Sequence, residues 1–482
     1  MPNPKTAIRI LGMLLIVEGF FMWLSIPVTL IYKEGEVLQF FLAGAITALA
    51  GSIGYFSTRK AHLEVTKRDG YVIVTSGWLF FSFFGTLPFL LTGAIPDFTN
   101  AFFETISGFT TTGASILNNI EELSHGVLFW RSLTQWLGGM GIIVLTLVVL
   151  PVLGIGGMQL FAAEVPGPTP DKLHPRVKET AKRLWSIYMI FTAAEIILLW
   201  IGPMNLFDAI CHSFTTMATG GYSTKQASIA HWNSPYVHYV IIVFMFLAGT
   251  NFTLSYFGFH LRFRKIFRNE EFKYYLGFIV VFAVVIAAGL FLQGDAGMEA
   301  SFRNAMFQVV SILTTTGYAT DNYLLWTPGL TMLILILMFI GGSAGSTGGG
   351  PKIMRIMILI KNSTQELKRL IHPNAVIPVR MNKIAVDTEV VTNVLAFLAL
   401  YVVIVIISMV VMSALGNDLE TSIGAVAATL GNIGPGIGNV GPADNFNHIA
   451  VAGKWFLSFL MLVGRLELFT VLVLFSPAFW KK

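Results

Sequence analysis

Long apolar segments dominate the chain and are separated by short polar ones. Ten of them have about the 20 residues that a helix needs to cross the hydrocarbon core of a bilayer. The pattern predicts ten spanning helices, near Ile10–Ile31, Leu38–Phe56, Tyr71–Leu91, Val127–Leu153, Leu184–Ile201, Tyr236–Phe259, Tyr274–Leu292, Trp326–Ile340, Val390–Ala414 and Trp455–Phe475. The sizeable polar stretches are Glu164–Arg183 and Lys361–Glu389.

Each of the last four helix pairs encloses an apolar segment that is too short to span. These segments are Phe98–Thr111, Leu206–Met217, Glu299–Leu313 and Leu419–Leu430. Each begins with or follows an acidic residue, which is a helix start signal. We interpret them as re-entrant half-helices followed by extended loops. Irregular backbone at membrane depth is tolerated only where it is packed in protein or lines water.

Every half-helix ends at a short phrase rich in threonine or glycine. The phrases are Phe109–Gly113, Thr215–Tyr222, Leu313–Tyr318 and Leu430–Gly436, and they recur at intervals of roughly a hundred residues. Four copies of one unit that meet at one place would form a ring of carbonyl oxygens able to replace the hydration shell of a cation. The alternative is four ordinary turns, but independent turns have no reason to agree in position.

Charge supports the membrane class and sets an orientation. Of the 482 residues, only 12% are charged, against about 25% in soluble domains. The single cysteine, Cys211, excludes an intrachain disulfide framework and a multi-cysteine metal site. With an inner N-terminus and alternating helices, 25 of the 31 lysines and arginines fall inside. The four phrases then lie outside, among acidic residues that include Glu104 and Asp208.

A second Gly-rich stretch interrupts the third repeat after Ile340. It consists of Gly341, Gly342, Ser343, Ala344, Gly345, Ser346, Thr347, Gly348, Gly349, Gly350 and Pro351. Glycine costs about 1 kcal/mol relative to alanine inside a helix, so we expect a flexible intramembrane loop and interpret it as a gate. The alternative is a kinked helix end. A nucleotide-binding P-loop is excluded, because no Gly-Lys-[Ser/Thr] sequence and no preceding strand are present.

Arg465 lies inside the last apolar segment. A cation at membrane depth is costly and is a functional hypothesis by default. We expect it to face the cavity below the four loops, where it would oppose passing cations; a structural salt bridge is the alternative. Glu467 lies on a different helix face, and we expect it to pair with another helix or a partner chain.

The four phrases resemble those of the Trk/Ktr/HKT superfamily of potassium transporters, most closely its bacterial TrkH branch, over essentially the whole chain. The resemblance implies an all-α polytopic membrane protein with two N-terminal helices and four pseudo-symmetric helix–pore-loop–helix repeats around one central pore. The expected divisions are 1–68 (two extra helices), 69–160, 180–268 and 270–362 (repeats 1 to 3), 363–389 (cytoplasmic linker) and 390–482 (repeat 4).

The resemblance also implies a selectivity filter with one glycine from each repeat. Carried onto this chain, the glycines are Gly113, Gly220, Gly317 and Gly434, and the carbonyls facing the ion are those of Thr111, Thr112, Ala218, Thr219, Thr315, Thr316, Asn432 and Ile433. The fourth repeat has Asn-Ile where two others have Thr-Thr, so the filter is expected to be only pseudo-symmetric. Serine at Gly113 or Gly317 is expected to change ion preference while leaving the fold largely intact.

The predicted function is potassium uptake across the bacterial inner membrane, with both termini cytoplasmic. The resemblance implies K⁺ as the transported ion, a homodimer and a cytosolic, nucleotide-binding, TrkA-like regulatory subunit. We expect no enzyme activity, no nucleotide or redox cofactor on this chain and no nucleic-acid partner, since basic helix ends fit lipid headgroups. Alternatives are a sodium-permeable or sodium-coupled relative, a symporter for an organic solute with one asymmetric site, and a non-conducting receptor-like module.

Overall fold

The computed structural model describes residues 2–59, 66–139, 141, 177–294, 297–375 and 377–481. The α-helices and strands are α1 (Pro4–Trp23), α2 (Ser25–Ile31), α3 (Val37–Ser57), α4 (Lys67–Phe84), α5 (Leu87–Thr92), α6 (Phe98–Phe109), α7 (His125–Gly139), α8 (Val177–Ile201), α9 (Leu206–Met217), α10 (Pro235–Ala248), α11 (Phe252–Phe259), α12 (Phe263–Arg268), α13 (Glu270–Gln293), α14 (Met298–Leu313), α15 (Pro328–Met338), α16 (Ile353–Ile371), β1 (Arg380–Met381), β2 (Ile384–Ala385), α17 (Thr388–Ala414), α18 (Leu419–Leu430), α19 (Val451–Arg465), α20 (Phe469–Leu472) and α21 (Pro477–Trp480).

The N-terminal helices α1 and α3 pack closely along each other. A Cβ atom added to Gly51 would lie 2.5 Å from the carbonyl oxygen of Gly12, and one added to Gly19 would lie 2.6 Å from that of Gly44. The two backbones therefore touch at two places. Small residues permit this close approach, which is how helices associate in a bilayer where the surrounding lipid is as apolar as their side chains.

Four helix–loop–helix repeats follow these N-terminal helices. Their half-helices are α6, α9, α14 and α18. The structure confirms all four, and the predicted and observed ends coincide for α9 and α18. Side-chain caps explain where two of them start: Asp97 accepts from the Asn100 backbone N–H at 2.9 Å, and Asn205 from that of Asp208 at 2.8 Å. The residue boundaries of the repeats remain predictions.

The second helix of several repeats is not one continuous span. Among the described residues, six helices are long and apolar enough to cross a membrane, and two more spans result if each bent pair is counted as one. The bent pairs are α10 with α11 and α19 with Phe469–Phe475, each with a 111° bend. The predictions of continuous helices at Tyr236–Phe259 and Trp455–Phe475 are therefore wrong.

One other predicted span is shorter than expected, and another is only partly described. The one at Trp326–Ile340 corresponds to α15, which has only 11 residues and ends before the Gly-rich stretch. The one at Val127–Leu153 is described only as far as position 141, and most of the polar stretch Glu164–Arg183 also lies outside the described residues. The linker after α16 contains a feature that the sequence pattern did not indicate, a short hairpin in which Arg380 pairs with Ala385.

Contact between α1 and α3 predicts unequal effects of alanine at two glycines of α3. A Cβ on Gly51 collides with backbone, whereas one on Gly54 has its nearest neighbour, the Ile8 carbonyl oxygen, at 3.5 Å. Overpacking costs about 1–3 kcal/mol, so Gly51→Ala should lower the melting temperature of the detergent-purified protein. Gly54→Ala is the matched control and should leave it unchanged or slightly higher. Equal effects of both would contradict backbone contact at Gly51.

Candidate ion pathway

The four Thr/Gly loops share one unusual backbone conformation. In each loop a non-glycine residue has a positive φ, and so does the glycine two positions later. These pairs are Thr111 (φ 53°) and Gly113 (82°), Thr219 (54°) and Gly221 (75°), Thr315 (61°) and Gly317 (79°), and Asn432 (53°) and Gly434 (100°). Positive φ is uncommon outside glycine, so its recurrence shows that the loops are equivalent.

This equivalence corrects the predicted register of the second loop. The Gly220 N–H donates to the Thr215 carbonyl at 2.8 Å, as the Thr112 N–H donates to that of Ser107 at 2.9 Å. Gly220 is therefore the counterpart of Thr112, and Gly221 rather than Gly220 is the counterpart of Gly113. Ala218 is the C-cap residue of α9. The alignment was wrong by one residue, because Ala-Thr-Gly-Gly offers two glycines.

Successive loops touch through their backbones and close into a ring. In each loop, the positive-φ glycine faces the middle carbonyl of the next loop. The distances from an added Cβ to that oxygen are 2.1 Å from Gly113 to Gly220, 1.9 Å from Gly221 to Thr316, 1.8 Å from Gly317 to Ile433 and 2.9 Å from Gly434 to Thr112. A side chain at Gly113 or Gly317 would therefore overlap backbone. This geometry contradicts the expectation that serine there changes only the loop itself.

Polar side chains pack behind the loops and are buried. The Thr110 and Thr112 hydroxyls lie 2.8 Å apart, as do those of Thr314 and Thr316. In the fourth loop the departure to asparagine has a structural role. The Asn432 amide donates to the Thr112 hydroxyl and to the Met461 carbonyl, both at 2.9 Å, and so joins the fourth loop to the first.

Gln135 on α7 holds the second loop and was missed in the sequence analysis. Its amide nitrogen donates to the Gly220 carbonyl at 2.7 Å, and its amide oxygen accepts from the Tyr222 N–H at 3.0 Å. The side chain is fully buried. An amide inside a predicted spanning segment was the available signal, because a buried amide is costly unless it is hydrogen-bonded.

A buried ion pair links the first two loops just beyond the ring. The Glu104 carboxylate lies 2.7 Å from the Arg131 guanidinium, which also donates to the Ser223 carbonyl at 2.9 Å and lies 3.5 Å from the centre of the Tyr222 ring. Glu104 also accepts from the Ile116 N–H at 3.0 Å. Glu104 is one of the acidic residues expected on the outer side, but it is 1% exposed, so its carboxylate serves Arg131 and does not face water.

The two faces of the ring differ. On one face the four positive-φ glycines line a cavity of about 80 Å³, together with residues that include Ser115, Lys225 and Asp444. Gly220 is not among the lining residues, which agrees with the corrected register. The cavity on this face is therefore lined by the loops and by residues that follow them in the sequence.

The Gly-rich stretch packs against the opposite face. The Gly349 N–H donates to the Thr315 hydroxyl at 2.6 Å, and the Thr347 hydroxyl donates to the Met217 carbonyl at 3.0 Å. A Cβ on Gly349 would lie 2.7 Å from the Gly431 carbonyl oxygen. The stretch thus contacts the ends of α9, α14 and α18, as expected for an element directly beneath the loops.

Arg465 joins the remaining loop to the Gly-rich stretch. Its Nη1 donates to the Thr111 hydroxyl at 3.1 Å and to the Thr347 carbonyl at 2.8 Å. Its Nη2 donates to the Gly138 and Gly139 carbonyls at 2.6 and 3.1 Å. The guanidinium therefore bridges the first loop, the Gly-rich stretch and the end of α7.

Two further cations lie at the far end of the Gly-rich stretch. Glu467 forms an ion pair with Arg355 of α16, which confirms the expectation that it pairs with another helix. The Lys352 ammonium donates to the Gly348 carbonyl. The bend of the fourth repeat is thereby joined to the beginning of α16, directly after the stretch.

Four half-helices whose loops close into one polar ring inside an all-α, apolar chain define a membrane transport protein built from pore-loop repeats. The TrkH family model, described as "Cation transport protein", matches residues 37–292 and 279–482. The chain therefore belongs to the TrkH family of cation transport proteins, whose members are transporters and not enzymes.

Individual relatives resemble the chain over almost its full length. The Trk system potassium uptake protein TrkH of Escherichia coli (strain K12) is 42% identical over 481 residues, 98% of this chain and 99% of that relative. TrkG of the same strain is 34% identical over 96% and 97% of the two chains. The crystal structure of the potassium transporter TrkH from Vibrio parahaemolyticus superposes with a TM-score of 0.90, at 38% identity, and covers 99% of this chain and 100% of that one.

The buried pair predicts a large loss of stability in Glu104→Gln. Removing one partner of a buried ion pair costs about 3–5 kcal/mol, because it leaves an uncompensated charge. Glu366→Gln is the matched control: Glu366 pairs with Arg369 on the same helix, and the two side chains are 54% and 36% exposed, and exposed pairs contribute about 0–1 kcal/mol. Thermal unfolding in detergent should show a much lower midpoint for Glu104→Gln alone. Similar midpoints for both variants would contradict the structural role of Glu104.

Proposed function

We propose that the chain takes up potassium ions across the bacterial inner membrane through the ring of Thr/Gly loops. The observation that carries the proposal is the closure of the ring by backbone contact between all four repeats. Its relatives' names supply the ion, since they are designated potassium uptake proteins. The positive-inside distribution supports cytoplasmic termini and loops that open to the outside.

The selectivity filter in this proposal follows the corrected register. Its residues are Thr111, Thr112 and Gly113; Thr219, Gly220 and Gly221; Thr315, Thr316 and Gly317; and Asn432, Ile433 and Gly434. Carbonyl oxygens of these residues replace the hydration shell of the ion. The C-termini of the four half-helices end at the ring, and their partial negative charge favours a cation there.

The Gly-rich stretch acts as the gate, and Arg465 as its latch and as a charge barrier. The stretch blocks one face of the ring, so ions pass only when it moves. Its contacts with the ring include single hydrogen bonds, each worth about 0.5–1.5 kcal/mol net, which a conformational change can exchange. The positive charge of Arg465 also opposes a nearby cation by Coulomb repulsion, and the repulsion is stronger where little water lies between the two charges.

The assembly follows from the family resemblance. We infer a homodimer with a cytosolic, nucleotide-binding, TrkA-like regulatory subunit. The linker and hairpin after α16 offer such a subunit a surface connected directly to the proposed gate. A sodium-permeable relative differs only in filter preference. A symporter with a single asymmetric site is less compatible with four equivalent loops.

The filter proposal predicts which of two adjacent glycines matters more for ion preference. Alanine at Gly221 requires a positive φ and meets the Thr316 carbonyl. Alanine at Gly220 requires no positive φ and meets the amide end of the Gln135 side chain at 2.4 Å, which can shift at the cost of its hydrogen bonds to the loop. Uptake of K⁺, Rb⁺, Na⁺ and Li⁺ into liposomes should favour K⁺ and Rb⁺ over Li⁺ in the wild type. Gly221→Ala should reduce that preference strongly and Gly220→Ala less.

Gly93→Ala serves as the control for that experiment. Gly93 also has a positive φ of 75°, but a Cβ there meets nothing within 4 Å. Gly93→Ala should therefore keep the wild-type preference for K⁺ and Rb⁺ over Li⁺. If Gly221→Ala reaches the membrane in normal amounts and discriminates as the wild type does, the filter assignment is wrong.

Arg465→Ala should raise potassium flux several-fold, because it removes both the positive charge and the hydrogen bonds to Thr111 and Thr347. Arg465→Lys separates the two effects, since lysine keeps the charge but lacks the planar fork of donors. We expect the flux of Arg465→Lys to lie between those of the wild type and Arg465→Ala. The measurement is ⁸⁶Rb⁺ uptake into liposomes at matched protein density, and flux at or below the wild-type value in Arg465→Ala would contradict the barrier.

A further inference from the structure

We propose that two adjacent carboxylates, Glu270 and Glu271 at the start of α13, hold the first half of the Gly-rich stretch and the helix α16 that follows it, and so set how easily the stretch moves. We call these two residues the clasp. The inference rests on the proposed role of the stretch as the gate. It assigns the clasp a positioning role, because neither residue lies in the ring.

Glu271 holds the first half of the stretch. Its carboxylate accepts a hydrogen bond from the Ala344 N–H at 2.7 Å, and the residue is 4% exposed. A hydrogen bond to an ionised acceptor in a buried place is roughly twice as strong as one between neutral groups. The next residue is also tied, since the Gly345 carbonyl accepts from the Phe252 N–H at 3.1 Å.

Glu270 holds the segment that follows the stretch. Its carboxylate forms an ion pair with Lys361 of α16, and α16 begins at Ile353, two residues after Pro351. The same carboxylate accepts from the Asn382 N–H at 3.0 Å, and Lys361 also donates to the Arg380 carbonyl at 2.8 Å. The ion pair therefore fastens both α16 and the hairpin to α13.

Neither carboxylate is needed to cap α13. That task belongs to Asn269, whose side chain accepts from the Phe272 N–H at 2.9 Å. Acidic residues in a first turn are favourable for a helix in any case, but these two reach away from it to two different segments. Since α13 is a continuous helix of 24 residues, the clasp gives the stretch a fixed reference point on its own repeat.

Glu270 and Glu271 are adjacent in sequence, so movement at the contacts of one is transmitted to the contacts of the other. When α16 or the hairpin shifts relative to α13, the strain falls on Glu270, and the adjacent Glu271 transfers it to Ala344. Loss of either anchor frees the stretch and raises the fraction of time that the stretch is detached from the ring. Since Glu270 and Lys361 share one ion pair, removing both should have less effect than the sum of the two single removals.

The test is ⁸⁶Rb⁺ uptake by the full chain in liposomes, in the absence of any added protein. Glu271→Ala should raise uptake several-fold and Glu271→Gln less, because an amide oxygen still accepts but carries no charge. Glu270→Lys and Lys361→Glu should each raise uptake, and the double exchange should bring it back towards the wild-type value. A purely local packing role would not produce that recovery. Glu366→Gln on α16, whose partner is Arg369 on the same helix, is the matched control and should match the wild type.

Arg465→Ala, measured in the same series, separates the clasp from the gate. If it raises uptake while Glu271→Ala and both charge reversals do not, the clasp is overturned and the gate stands. If none of these variants changes uptake, the gate assignment fails together with the clasp. If the double exchange stays as active as the single reversals, the ion pair between Glu270 and Lys361 is not the second anchor.

Discussion

Contact between the backbones of successive loops is the constraint on which the rest of the structure depends. At each of the four junctions a glycine faces the carbonyl of the next loop, so closely that a side chain would overlap it or lie against it. The glycines at these positions also adopt positive φ values. The half-helices, the buried threonines and the Asn432 bridge all serve to bring four backbones to this separation. Any element that shifts one loop therefore disturbs two junctions.

The parts that the sequence predicted well carry local signals. Half-helix starts are marked by Asp97 and Asn205, which cap them, and the Gly-rich stretch is marked by residues that no helix interior favours. The bends after α10 and α19 were missed because apolar residues continue across them, so hydropathy does not change. The sequence singled out Arg465 as a charge at membrane depth. It did not predict that Arg465 ends α19, because the residues around the bend remain apolar.

The register error in the second loop has a physical cause. Pattern matching aligned the first glycine, whereas the structure aligns the positions that carry positive φ, and Gly220 is not one of them. Gln135 was missed for a related reason: its partners, Gly220 and Tyr222, are 85 and 87 residues away in sequence. Local patterns identify which segments form loops, but contacts over such distances decide which residue of a loop occupies which position.

Three arginines inside the apolar bundle are each held by a different set of partners. Arg131 is held by Glu104, Arg355 by Glu467, and Arg465 by hydroxyl and carbonyl oxygens. Buried charges are costly unless they are paired and hydrogen-bonded, so these contacts restrict how the repeats can be arranged. Arg355 and Arg465 reach a different repeat through these contacts, and Arg131 reaches the second repeat through the Ser223 carbonyl. The contacts therefore favour one arrangement of the bundle over others that bury the same apolar area.

The covalent continuity of the four loops has an evolutionary consequence. In an assembly of four identical subunits encoded by one gene, one codon change alters the ring at four places at once. Here the four quadrants are encoded separately, so a single mutation alters one quarter of the ring. The asparagine and isoleucine of the fourth loop and the paired glycines of the second show that the quadrants have already diverged. Ion preference in such a chain can be adjusted in small steps, one quadrant at a time.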